Sequence, residues 1–145
     1  MLSTFIKQHK LPETFKFTAE KHYQPLAEQI FGQFGKHDGA FFVGINGCQG
    51  SGKSTLTDYL AEYLATTYQL TIMVMSLDDF YLTGEKRQQL AHEVHPLLAT
   101  RGVPGTHDIA ALKQTLNKLK TKQTGFAMPR FNKATDEPYP ESQWP

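Results

Sequence analysis

Cysteine is nearly lacking: the 145 residues hold one, Cys48, so an intrachain disulfide framework is excluded and a reducing compartment is expected. A dominant charge is lacking too, because fifteen Lys and Arg against fourteen Asp and Glu leave a net +1. That balance provides neither the basic face of a nucleic-acid-coating protein nor an acidic tail. The longest apolar run, around Ala40 to Ile45, falls far short of the roughly 20 residues that cross a bilayer. The opening MLSTFIKQHKLPE holds no apolar stretch of signal-peptide length. Internal repeats and low-complexity tracts are likewise missing. A cytoplasmic protein without nucleic-acid or membrane partners is therefore expected. What is present, 39% hydrophobic residues with ten Phe, six Tyr and one Trp, suffices for the core of one domain.

Hydrophobic spacing predicts a helix over 18–37, with Leu26, Ile30 and Phe34 on one face and Pro25 starting or kinking it. FFVGI (41–45) and TIMVMSL (71–77) are short continuous apolar runs, the pattern of parallel strands buried on both faces. Between them Leu56, Tyr59, Leu60, Tyr63 and Leu64 follow a helical period. A polar helix is expected over 85–93, a loop over 101–106, and an amphipathic helix over 107–122. Thr106 is the expected cap of that last helix, and Ile109, Leu112, Leu116 and Leu119 its inner face. A short strand is expected at 126–131. Strand–helix–strand means a doubly wound α/β fold, but two such strands cannot bury themselves, so the chain reads as the N-terminal part of a longer domain.

GCQGSGKS, Gly47 to Ser54, matches G-x-x-x-x-G-K-[ST] at every fixed position and lies between a predicted strand and a predicted helix. Glycines let backbone N–H groups wrap phosphate oxygens, and the following helix N-terminus adds positive potential. Lys53 suits the β- and γ-phosphates, and the Ser54 hydroxyl suits Mg²⁺. Asn132-Lys133-Ala134-Thr135-Asp136 has one residue too many for a guanine-reading N-K-x-D. SLDDFYLTG (76–84) sets Asp78 and Asp79, with Phe80 and Tyr81, at the C-terminal end of the second predicted strand, where open α/β sheets bind ligands. A carboxylate there can accept the proton of an attacking hydroxyl. Spacing alone leaves Asp78 and Asp79 as rival bases.

GINGCQGSGKST (44–55), SLDDFY (76–81), HPLLATRGVPGTHD (95–108) and PRFNKATDEP (129–138), in that order, resemble plant-type D-glycerate 3-kinases and their predicted-kinase relatives. That group goes with uridine kinase, phosphoribulokinase and bacterial pantothenate kinase. The resemblance implies a P-loop NTPase-type parallel sheet flanked by helices. On it, residues 1–38 form an N-terminal helical segment and 39–145 a C-terminally truncated P-loop kinase domain. It implies ATP-dependent transfer of the γ-phosphate to a hydroxyl of a small acceptor, D-glycerate first, with Mg²⁺. A nucleotide-binding fragment or pseudo-enzyme, or a kinase for pantothenate or a nucleoside, is the alternative.

Carried over by motif, Asp78 is the base, and Lys53 the other catalytic residue. Gly47, Gly50, Ser51, Gly52, Lys53, Ser54 and Thr55 hold the nucleotide, with Ser54 on the metal. Asp79, Tyr81, Arg101, His107, Asp108, Arg130, Asn132 and Lys133 border the acceptor. After Lys133 the family continues with glycine and an Asp-Arg pair, whereas this chain reads ATDEPYPESQWP.

Overall fold

The apolar spacing of the first 74 residues is realised as helices packed on one another. The computed structural model describes residues 1–144 and divides into two units, Met1–Val74 and the stretch from Met75 onward. The first unit contains α1 (Leu2–Gln8), α2 (Phe15–Thr18), α3 (Gln24–Phe34) and α4 (Lys53–Tyr68). The helix expected over 18–37 is present, but it begins at Phe15, ends at Phe34, and widens into a π turn over Ala19–Tyr23. Pro25 supplies the reason. It has no N–H to offer the preceding turn, and the turn before it closes instead with Gln24 N–H donating to the Ala19 carbonyl.

Two clusters hold this unit. Phe5, Ala19 and Tyr59 are wholly buried and packed with Phe15 and Tyr23; the Phe5 and Tyr59 rings meet edge to face at 5.3 Å. Ala27, Leu60 and Leu64 form the second, against which Ile45 and Ile72 pack.

The expected parallel sheet is not formed. Residues 41–45 and 71–76 run without ladder partners, and Leu77 already begins a 3₁₀ turn. An extended segment becomes a strand only when a neighbour about 4.8 Å away receives its hydrogen bonds; among the described residues none does. Only one face is covered, by the α4 cluster. Phe42 and Met73 are each 50% exposed. Exposed apolar side chains along two unpaired edges favour association. The isolated chain should therefore bind a hydrophobic dye and self-associate with rising concentration, and Phe42→Ser with Met73→Thr should reduce both. A monomer that ignores the dye at all concentrations would count against this.

The second unit contains α5 (Gly84–Glu93), α6 (Ile109–Lys120) and an antiparallel pair, β1 (Phe131–Asn132) with β2 (Glu137–Pro138). Of the strand expected at 126–131, only Phe131 is in β1. The cap of α6 is Asp108, whose Oδ1 accepts from the Ala111 N–H at 2.9 Å. Thr106 is buried two residues earlier, its hydroxyl donating to the Val103 carbonyl at 2.6 Å. Ile109, at the first turn of α6, faces solvent rather than the core. Among the described residues no helix is long and apolar enough to cross a membrane.

Candidate active site

The glycine-rich loop needs its glycines. Gly50 and Gly52 have φ of +76° and +82°, a region that side chains with Cβ avoid. A Cβ on Gly47 would stand 2.9 Å from the Ser51 hydroxyl. Gly52 is the N-cap of α4, and no side chain caps that helix, so its first-turn amides are left to an external acceptor. Lys53 opens α4 and bends back over the loop, its Nζ donating to the carbonyls of Gly47 (2.8 Å) and Cys48 (2.7 Å). Ser54 and Thr55 follow on the same turn, with Ser54 exposed. Among the described residues no group of three or more His, Cys, Asp or Glu is arranged to hold a metal ion.

In the second unit, Asp78 and Asp79 lie in a 3₁₀ turn (Leu77–Phe80) capped by Ser76, whose Oγ accepts from the Asp78 N–H. The two carboxylates have different employment. Asp79 accepts from the Ser76 N–H, Arg130 Nη1 and the Phe131 N–H, which ties the turn to the start of β1. Asp78 is 41% exposed and accepts from Tyr81 Oη at 2.7 Å and Lys133 Nζ at 2.6 Å. The Lys133 ammonium, and then the Tyr81 hydroxyl, hold the Asp78 carboxyl below its usual value of 3.8. Burial and the bond to Asp78 push Tyr81 up to about 12.

The 101–108 loop is stitched to this turn through the backbone: Leu82 N–H donates to Thr106 O, and Asp108 N–H to Phe80 O. His107 thereby lies against the Tyr81 ring, centroids 4.5 Å apart. Arg101 stands over the Phe131 ring at 5.8 Å and pairs with Asp136. Asn132 turns inward on its own loop, Oδ1 accepting from the Ala134 and Thr135 N–H groups. Charged and polar side chains of the second unit thus come together from three stretches of chain, 76–81, 101–108 and 130–136.

No protein-family model matches the chain. Over 111 residues it is 40% identical to the uncharacterized kinase mug58 of Schizosaccharomyces pombe, a match covering 72% of this chain and 40% of that protein. The probable ATP-dependent kinase TDA10 of Saccharomyces cerevisiae is 34% identical over 102 residues, 64% of this chain and 35% of that one. The solved structure of a D-glycerate 3-kinase from Cryptococcus neoformans superposes with a TM-score of 0.70 at 34% identity, covering 80% of this chain and 44% of its own. The chain is related to the D-glycerate 3-kinase-like kinases. It spans 40% of the first of these curated relatives and 35% of the second.

In this glycerate 3-kinase-like chain, Tyr81 and Lys133 bond Asp78, His107 lies on Tyr81, Arg130 bonds Asp79 and Arg101 bonds Asp136, while Asp108 and Asn132 are engaged with backbone. Three residues that sequence reasoning does not single out belong to the same cluster: Arg87, Asp136 and Glu137. Arg87 is buried against Asp136, and both Glu137 carboxylate oxygens accept from the Gly84 N–H at the start of α5. Nothing in EKRQQLAHE marks Arg87 as the one that turns inward.

Arg87 and Arg101 hold the Asp136 carboxyl below its usual 3.8, as Lys133 and Tyr81 do for Asp78. A carboxylate with a depressed folded-state pKa stabilises the fold above its unfolded value and loses that contribution as pH falls through the folded one. Order in the second unit should therefore weaken progressively below about pH 3.8. Trp144 provides the readout, since its indole N–H is tied to the Tyr139 carbonyl at 2.9 Å. Its emission should change on acidification over that range, and the change should shrink in Asp78→Asn/Asp136→Asn. An identical acid profile in that double variant would remove these carboxylates as the cause.

Proposed function

We propose that the protein takes part in ATP-dependent transfer of a γ-phosphoryl group to the hydroxyl of a small acceptor, with D-glycerate, named for the similar Cryptococcus neoformans kinase, as the first candidate. The observation that carries this reading is the half-exposed Asp78 carboxylate, held by Tyr81 and Lys133, in a chain that also has an uncapped G-x-x-x-x-G-K-S helix start. The loop amides, Gly47 to Thr55, receive the phosphates, and Lys53 exchanges its carbonyl partners for phosphate oxygens. Ser54 Oγ, exposed on the first turn of α4, has the motif position suited to Mg²⁺. The ion, held chiefly by the nucleotide's phosphates, would supply neutralisation of charge on the phosphate oxygens.

At the acceptor end, the hydroxyl oxygen forms the new bond to the γ-phosphorus as the bond to the bridging oxygen breaks and ADP leaves. The hydroxyl proton goes to Asp78. Its depressed pKa makes it a weak base, which suits a loose transition state in which the nucleophile is still largely protonated. Asp78 then acts first by orienting the hydroxyl and only late by taking its proton. Tyr81, raised to about 12, stays protonated and keeps the carboxylate aimed. The test is ADP release by the full-length protein against a panel of hydroxyl acceptors. D-Glycerate should stimulate release most, and a flat response across the panel would reject the reading.

A further inference from the structure

Arg87 is the deeply buried charge of the second unit. Its side chain is 1% exposed, and its Nε and Nη1 have no hydrogen-bond partner. Nη2 alone is engaged, donating to the Asp136 carbonyl at 2.9 Å and to Oδ2 at 2.6 Å. A buried guanidinium stripped of its counter-ion is strongly destabilising, so Oδ2 is committed to Arg87. Oδ1 is directed elsewhere and accepts from Arg101 Nη1. One carboxylate thus bridges a buried arginine and a partly exposed one.

The bridge itself is pinned on several sides. Asp136 adopts φ +61°, which Asp tolerates better than most residues, at the end of the turn joining β1 to β2. The next residue, Glu137, is fastened to the N-terminus of α5 through Gly84, where a Cβ would come within 2.6 Å of the Glu137 carboxylate. Arg101 is consequently held by one nitrogen at Asp136 and lies over Phe131, while its side chain remains 34% exposed. It makes no other hydrogen bond among the described residues, so Nε and Nη2 keep their donors. A planar guanidinium held at Nη1 and laid over the Phe131 ring presents its Nε and Nη2 donors in a fork, the geometry that receives a carboxylate. Arg87 and Arg101 against Asp136 and Glu137 leave the cluster neutral, so an incoming anion is received by the free donors of Arg101 rather than drawn by net charge.

We propose that Asp136 is a positioning residue, which holds Arg101 so that its free donors receive the carboxylate of the acceptor. This rests on the proposed function only in naming that carboxylate. The test uses the full-length protein and two readouts: calorimetric affinity for D-glycerate, and ¹⁵N relaxation of the Arg101 Nε–H, which needs no ligand. Asp136→Asn should mobilise the Arg101 Nε–H and weaken D-glycerate about tenfold, the loss of one charge-assisted contact, with ATP affinity unchanged. Asp136→Glu should recover part of both. Because Asp136→Asn also strands the Arg87 charge, Arg87→Met/Asp136→Asn separates packing from positioning. It should regain thermal stability without regaining D-glycerate affinity.

Wild-type affinity in that double variant, or an Arg101 as ordered in Asp136→Asn as in the wild type, would overturn the proposal. An Arg101 that is released by Asp136→Asn in a protein that binds no D-glycerate would overturn the acceptor reading and leave the hold of Asp136 on Arg101 supported.

Discussion

Asp78→Asn is expected to lower phosphoryl transfer by the full-length protein about a hundredfold or more, with ATP affinity nearly unchanged. The substitution keeps an oxygen for the Tyr81 hydroxyl but removes both the proton acceptor and the charge paired with Lys133. A base contributes about 10²–10⁴-fold in such reactions, so the barrier should rise by roughly 3 kcal/mol. ATP affinity is spared because the loop, Lys53 and Ser54 are untouched. Asp79→Asn is the informative control. Asp79 receives Ser76, Arg130 and Phe131, so its loss should lower thermal stability and leave turnover per folded molecule much less affected. If Asp79→Asn abolishes transfer at unchanged stability while Asp78→Asn is tolerated, the base is Asp79. If both are tolerated, neither activates the hydroxyl.

Lys53→Ala should act on both binding and chemistry, and more on chemistry. The glycine conformations at Gly50 and Gly52 and the uncapped start of α4 survive the change, so the amide cradle persists. ATP affinity should fall about tenfold, the size of one lost charge-assisted contact. Transfer should fall further, by about 10²–10³, because a preorganised charge at developing phosphate charge matters most in the transition state. Calorimetry with ATP and a turnover assay separate the two. Unchanged values in both would reduce GCQGSGKS to a turn between two segments.

Local physics was readable from the sequence where it was local in origin. The period of Leu56, Tyr59, Leu60 and Leu64 places α4 correctly, and Gly50 and Gly52 mark a loop that requires positive φ. The apolar runs at 41–45 and 71–77 are real features too, and Ile45 and Ile72 do face the α4 cluster. A ladder, however, is a property of two segments, and no pattern within one run says whether a partner receives its hydrogen bonds. The same limit hides Arg87. Its neighbours in α5 are polar, and what buries it comes from 49 residues downstream. Asp136 sits in a run that resembles a misspaced guanine motif, so its pairing with Arg87 and Arg101 emerges only from the turn between β1 and β2. The choice between Asp78 and Asp79 has a comparable origin: adjacent carboxylates are distinguished by which distant cation reaches each.

The wide turn before Pro25 has a rotational consequence. Each α-helical residue advances the facing of a side chain by roughly 100°, so positions eight apart differ by roughly 80°. A turn closed by an i→i+5 bond absorbs about one residue of that advance. Ala19 and Ala27 are both wholly buried, one beside Tyr59 and the other beside Leu60 and Leu64, all on α4. Counting one residue absorbed, their facings agree to roughly 20°, which lets a single bent rod address one partner along its whole length. Shortening Ala19–Tyr23 by a residue would therefore behave as a twist more than as a deletion: α3 would keep its aliphatic stripe only by turning the aromatic one away.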